Sequence, residues 1–195
     1  MDTTAQVTPP LLDNRLLVVD IETTGFSQAK DFILELGIVS LNLDDGSIEH
    51  LFDETFSHPA MTAKHRSAWI FANSDLTVAE VRESETLKYY FDEIQAIFHD
   101  YAGRITAWNR DFDVRFLEYH GFRLGPSIPC PMKVSTPYFK LEKAKGNGYK
   151  WPKAQEAWNF LFPLTPRVEA HRGLDDADYE AHIIHSLYKK GIYCP

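Results

Sequence analysis

The chain has 195 residues, 44% hydrophobic and 25% charged, ordinary values for a folded globular domain and unlike those of disordered chains. No run approaches the roughly 18 apolar residues of a membrane-spanning helix, and the first residues lack the basic start and apolar block of a secretory signal. Two cysteines, Cys130 and Cys194, can build neither a disulfide framework nor a cysteine zinc site. A formal charge of −8 disfavours nonspecific attraction to nucleic acid, although carboxylates gathered around metal ions add negative charge that the ions remove locally. These features predict one cytoplasmic domain.

Residues 1 to 15 are polar, contain Pro9-Pro10 and read as a flexible or extended lead-in to a single domain over residues 16–195. Leu16 to Ile21 is an apolar, branched run ending at Thr23-Thr24-Gly25, a buried strand followed by a turn. Phe32 to Leu43 and Ser47 to Phe56 flank Asp45-Gly46, the signal of a hairpin. The opening thus predicts three consecutive, antiparallel strands, the first the most buried.

Helical spacing follows Pro59. A short helix is expected over Lys64 to Ala72, another capped by Ser74-Asp75, and a longer one over Thr86 to Tyr101, where Leu87, Tyr90, Phe91, Ile94, Ile97 and Phe98 share a face. Arg104 to Trp108 reads as a fourth strand and Asp111 to Phe122 as a helix. Val134 to Leu141, Pro152 to Leu161 and Asp175 to Lys190 complete the helical segments. Three strands followed by mixed elements predict an α/β fold, helices packed on a mixed central sheet.

The chemistry gathers in three segments. Asp20 and Glu22 end the first strand, two residues apart and therefore on one face. Their mutual repulsion is relieved by a hard divalent cation with oxygen ligands. At the second segment Asp111 and Asp113 compete: two residues turn a helix by about 200°, so only one can join a given site. Asp111 is also a natural N-cap, which leaves Asp113 as the better ligand candidate. In the third, His171 precedes a helix opened by Asp175-Asp176, acids that would also favour the helix dipole without any catalytic role.

On these residues the sequence resembles the DEDD-type 3′-to-5′ exonucleases with a histidine base, the DnaQ-like group of the RNase H-like superfamily. The matching elements are Val18-Val19-Asp20-Ile21-Glu22-Thr23-Thr24-Gly25, the Asn109-x-x-Phe112-Asp113 segment and His171-x4-Asp176. Trp108 stands where many relatives carry His, a departure that bears on substrate preference and packing, since that position is not a metal ligand in the family. The resemblance implies two Mg²⁺ or Mn²⁺ ions, one held by Asp20, Glu22 and Asp176, the other bridged by Asp20 and bound by Asp113. His171 would take the proton from the attacking water. Thr23, Thr24, Gly25 and Phe26, with Asn109, would contact the terminal nucleotide, Phe26 being either a stacking surface or ordinary core.

The implied activity is release of 5′-mononucleotides from a nucleic acid with a free 3′ end, single-stranded DNA first, with RNA trimming or a catalytically silent, polymerase-associated binding domain as rivals. A polymerase or repair partner and a homodimer also follow from the resemblance alone. Lys140, Lys143, Lys145, Lys150 and Lys153, interleaved with Tyr149 and Trp151 and opposed by Glu142 alone, form either a strand-guiding lip or a solvated loop. His182 and His185 read as surface or packing residues.

Overall fold

The computed structural model describes residues 14–195, so the expected lead-in lies outside the described residues except for Asn14 and Arg15. Its first strand, β1 (Arg15–Thr23), pairs antiparallel with β2 (Ile33–Asn42), and β2 pairs antiparallel with β3 (Ile48–Thr55). β4 (Ile105–Thr106) joins the other edge of β1 in parallel. The order is β3-β2-β1-β4. β2, rather than β1, is the most completely buried strand: both are interior, but the end of β1 opens into a cleft. The predicted fourth strand shrinks to two residues because the chain turns at Trp108 to start the next helix, its N–H held by Glu180.

Eight helical segments follow the hairpin: α1 (Ala63–Arg66), α2 (Ile70–Asn73), α3 (Val78–Glu83), α4 (Phe91–Asp100), α5 (Arg110–Tyr119), α6 (Pro131–Phe139), α7 (Ala154–Leu161) and α8 (Gly173–Lys189). The helix expected over Lys64 to Ala72 is two separate turns, α1 and α2. Thr77, not Ser74-Asp75, caps α3, its hydroxyl accepting from Glu80 N–H at 3.0 Å. α4 starts later than its apolar spacing implies because Thr86 is held in a bridge to Ser57. Boundaries elsewhere move by a few residues. No helix among the described residues is long and apolar enough to cross a membrane.

Strand alternation builds two cores. Leu16 and Val18 face a core containing Ala177, Ala181 and Ile184 of α8 and Trp158 of α7. Leu17, Val19 and Ile21 face the other, with Ile94 and Phe98 of α4 and Val114, Phe116 and Leu117 of α5. The sheet is thus covered on both sides. Asp20 and Glu22 continue the Leu16 and Val18 parity and point to the side of α8. Two glycines let α8 begin against the sheet: a Cβ on Gly37 would lie 2.1 Å from the Gly173 carbonyl carbon, and one on Gly173 2.7 Å from Gly37 N. Gly37 is paired with Asp20 across β1 and β2. This close approach brings the start of α8, and the loop before it, to the end of β1.

Candidate active site

Where β1 ends, a cleft of about 480 Å³ opens, and its walls include Asp20, Glu22, Asp113, Asp176 and His171. β1 supplies the first pair by alternation. Asp113 comes from the first turns of α5 and is only 3% exposed, with its carboxylate hydrogen-bonded to the Ile21 backbone. Asp111 faces the opposite way and is tied to Lys133, as the 200° step between them requires. Nor does Asp111 cap the helix; Asn109 holds the N-cap position and also lines the cleft.

Asp176, one turn into α8, accepts from Ala170 N–H at 2.9 Å. That bond folds residues 170–172 back over the helix start. His171 sits there in a left-handed conformation, φ 55°, with Nδ1 3.9 Å from Asp176 Oδ2. Potential ligand atoms of Glu22, His171 and Asp176 lie within 4.8 Å of one another. The left-handed backbone is uncommon for a non-glycine residue and turns the imidazole toward the carboxylates.

Two acids singled out by no motif share the cleft. Glu180, one turn after Asp176 on the same face of α8, is buried and accepts from Trp108 N–H at 2.8 Å; its spacing of four from Asp176 was the available sequence signal. Glu169 lines the cleft from the loop. Six carboxylates therefore face a cleft whose only lysine is Lys153. Burial, then the charge of Glu180, holds Asp20 well above the usual carboxylate range. Burial and Asp176 push Glu22 up to about 9, and burial raises Asp113 to about 7. Burial also raises Asp176 and Glu180. Six carboxylates crowded at low dielectric against a single lysine fit a hard divalent cation.

Beside the cup, a second cavity of about 400 Å³ is lined by Thr23, Thr24, Gly25, Phe26, Trp69, Ile70 and Phe112, with Ile21 and Glu22 at its inner end. The threonine hydroxyls shape this turn from within. Thr23 Oγ1 donates to Gly25 O at 2.7 Å, and Thr24 Oγ1 accepts from Phe32 N–H at 3.0 Å. Phe26 is 89% exposed, so it is not core; its ring meets Phe112 edge-on at 6.1 Å. Trp69 packs edge-on against His171 at 4.9 Å, a neighbour that no sequence spacing announces.

The loop carrying His171 is anchored by Arg172. Its Nε donates to both carboxylate oxygens of Glu35, at 2.9 and 3.1 Å, while the other guanidinium nitrogens donate to Asp75 and Glu80 at 2.8 Å each. Trp108 is buried, donating from its ring to Pro152 O at 2.9 Å; its departure from the family pattern is a packing feature here. Of the lysine-rich segment, Lys153 and Trp151 line the cleft. Lys150 is paired with Glu156, and Lys143 and Lys145 are exposed beyond the Glu142–Tyr149 bridge. His182 is half-exposed beside Asp178, and His185 packs over Gly46.

The chain is similar to several known proteins. The DNA polymerase III PolC-type of Clostridium perfringens is 30% identical over 183 residues, 91% of this chain and 11% of that polymerase. Its counterpart in Caldanaerobacter subterraneus is 25% identical over 181 residues, 92% and 12% respectively. The chain thus spans about a tenth of the length of the curated relatives it matches. Among solved structures, the nuclease domain of 3′hExo, a DEDDh family member bound to rAMP, aligns with a TM-score of 0.68 at 15% identity, over 91% of this chain and 93% of that one. Exonuclease I of E. coli in complex with a dA16 oligonucleotide aligns with a TM-score of 0.60 at 12% identity, over 90% and 41%. These likenesses show the RNase H-like exonuclease fold. The model of the RNase_T family, described as exonuclease, matches residues 17–184, and the chain belongs to that family.

Proposed function

We propose that the protein is a 3′-to-5′ exonuclease that removes 5′-mononucleotides from single-stranded DNA. One observation carries this: a histidine and two carboxylates with ligand atoms within 4.8 Å of one another open directly onto an apolar cavity of nucleoside size, the two sharing Ile21, Glu22, Phe26 and Phe112. Asp20, Glu22 and Asp176 would hold one Mg²⁺ or Mn²⁺, and Asp20 with Asp113 a second. When bound, such ions supply positive charge to the attacking and leaving oxygens of an in-line displacement.

The chain's own groups do the rest. His171 takes the proton of the attacking water, and Asp176, 3.9 Å from its Nδ1, orients the ring. The turn from Thr23 to Phe26, with Trp69 and Phe112, encloses the terminal nucleoside and fixes the scissile phosphate against the acids. Asn109, on the wall of the cup, contacts the sugar-phosphate. The PolC-type relatives support DNA as substrate and a polymerase or repair complex as the setting; a second copy of the chain is the other partner to test.

The experiment follows a 5′-labelled single-stranded oligonucleotide, DNA and RNA in parallel, with Mg²⁺ and with an Asp20→Ala control. A ladder shortening from the 3′ end is the expected result, faster on DNA. Faster shortening of RNA would reassign the substrate to RNA trimming, and binding without shortening would make the chain a silent binding domain.

A further inference from the structure

We infer that the protein carries a second nucleotide-binding subsite, outside the acidic cup, that grips the phosphate and base on the 5′ side of the terminal nucleotide. The inference rests on the exonuclease reading above. A groove of about 360 Å³ that shares Phe26 and Phe112 with the nucleoside cavity is walled by Arg115, Lys133, Trp151 and Gln28. It also shares Phe26, Asn109 and Phe112 with the cup. The two spaces are therefore continuous, and a strand whose 3′ end occupies the cup has this groove as an exit.

Charge changes sign along that path. The cup is walled by six carboxylates and one lysine, so a phosphate without a metal ion beside it is repelled there. In the groove two cations face one acid, Asp111. Arg115 is exposed on α5, one turn beyond Asp111, and forms no salt bridge among the described residues. Lys133, on α6, is paired with Asp111 and lies 5.3 Å from the centre of the Trp151 ring. Arg115 is thus a free phosphate partner, and a phosphate arriving beside Lys133 competes with Asp111 for it.

The groove also offers two flat apolar faces. Trp151 is 59% exposed and Phe26 89% exposed. Bases stack on such faces without sequence preference. A base stacks on Trp151 only with one face free of its neighbours in the strand, which a single-stranded 3′ end of at least two or three nucleotides offers and a stacked blunt duplex does not.

The test compares the p-nitrophenyl ester of thymidine 5′-monophosphate, which fills only the cup and nucleoside cavity, with a single-stranded DNA oligonucleotide. The quantity read is kcat/KM for the oligonucleotide divided by kcat/KM for the ester. Arg115→Ala with Lys133→Met should lower the ratio at least about 10-fold through KM for the oligonucleotide. The same pair should flatten the log–log salt dependence by about 0.7 per cation removed. Asp111→Asn, which deletes the groove's acid and frees Lys133, should raise the ratio, a gain that a folding defect could not produce. Unchanged ratios in these variants would overturn the subsite. A wild-type chain that hydrolyses neither substrate would instead sink the exonuclease reading, so the two failures are distinct.

Discussion

Glu22 and Glu35 stand directly opposite each other on β1 and β2, yet they belong to two acidic clusters with opposite electrostatic solutions. Glu35 is 1% exposed and receives two hydrogen bonds from Arg172, which also gathers Asp75 and Glu80. Burial raises it only to about 7, because the guanidinium offsets much of the cost. Glu22 rises further, to about 9: burial is the largest cause, followed by repulsion from Asp176, Glu35 and Asp113, and it has no guanidinium partner among the described residues. The fold can supply a counter-charge one strand away. In the cup one lysine faces six carboxylates, an excess that suits a cation from outside and that the proposed chemistry requires.

The largest test of this division is Asp20→Ala. Deleting the carboxylate expected to contact both ions should lower the rate by at least about 10³-fold, the upper end for loss of one transition-state contact. In EDTA the same change should leave the melting temperature unchanged or raise it, because a repelling charge is gone. A melting temperature that drops sharply without metal would place Asp20 with the scaffold. His171→Ala comes next, with about a 10²–10⁴-fold loss in kcat and Mg²⁺-induced stabilisation retained in thermal melts; a retained rate would remove it as base.

Arg172→Met should do the reverse of Asp20→Ala. Removing one partner of a buried pair leaves Glu35 uncompensated and costs about 3 kcal/mol, measured by urea unfolding. Adding Glu35→Gln should recover most of that loss, since the penalty lies in the unpaired charge. Activity should fall as well, because Arg172 adjoins His171 and fixes its loop. If Arg172→Met proved as stable as the parent, the guanidinium would be a surface ion rather than a scaffold, and the contrast between the two clusters would fail.

These clusters also differ in how far the sequence revealed them. Asp20 and Glu22 were legible because strand alternation fixes their common face; the helical step showed that only one of Asp111 and Asp113 could join them, but the cap role that favoured Asp113 over Asp111 belongs to Asn109. The α/β order and the Asp45-Gly46 hairpin were legible from local patterns. Glu35 and Arg172 were not: they are distant in the chain, and a buried Glu within an apolar strand has no local signature of its partner. What joins them is the close approach of Gly37 and Gly173, two small residues whose meaning appears only when a helix lies on a sheet. Trp69 at His171 escaped for the same reason. Element boundaries slipped where tertiary bonds overrode spacing, as at Thr86 and at Trp108.

The smallest effect uses pH to separate the cup from a third buried site. His58 stacks on Phe32 at 4.3 Å, its Nε2 buried without a hydrogen-bond partner. Burial, then the nearness of His120 and His65, lowers its pKa from the ordinary 6.5 to about 4. Its folded pKa lies below its unfolded one, so between these values the unfolded chain takes up a proton that the folded chain refuses. The stability it contributes is present above pH 6.5 and is lost as pH falls through about 4. The cup works in the opposite sense: its acids titrate higher when folded, so without metal their repulsion grows as pH rises. Urea midpoints in EDTA across pH 4 to 8 should therefore decline at both ends. Phenylalanine in His58→Phe keeps an aromatic face against Phe32 and has no proton to gain, so the acid limb should flatten while the alkaline limb stays unchanged. Mg²⁺ should flatten the alkaline limb alone, because the six carboxylates of the cup face a single lysine and leave a charge that an added cation can offset.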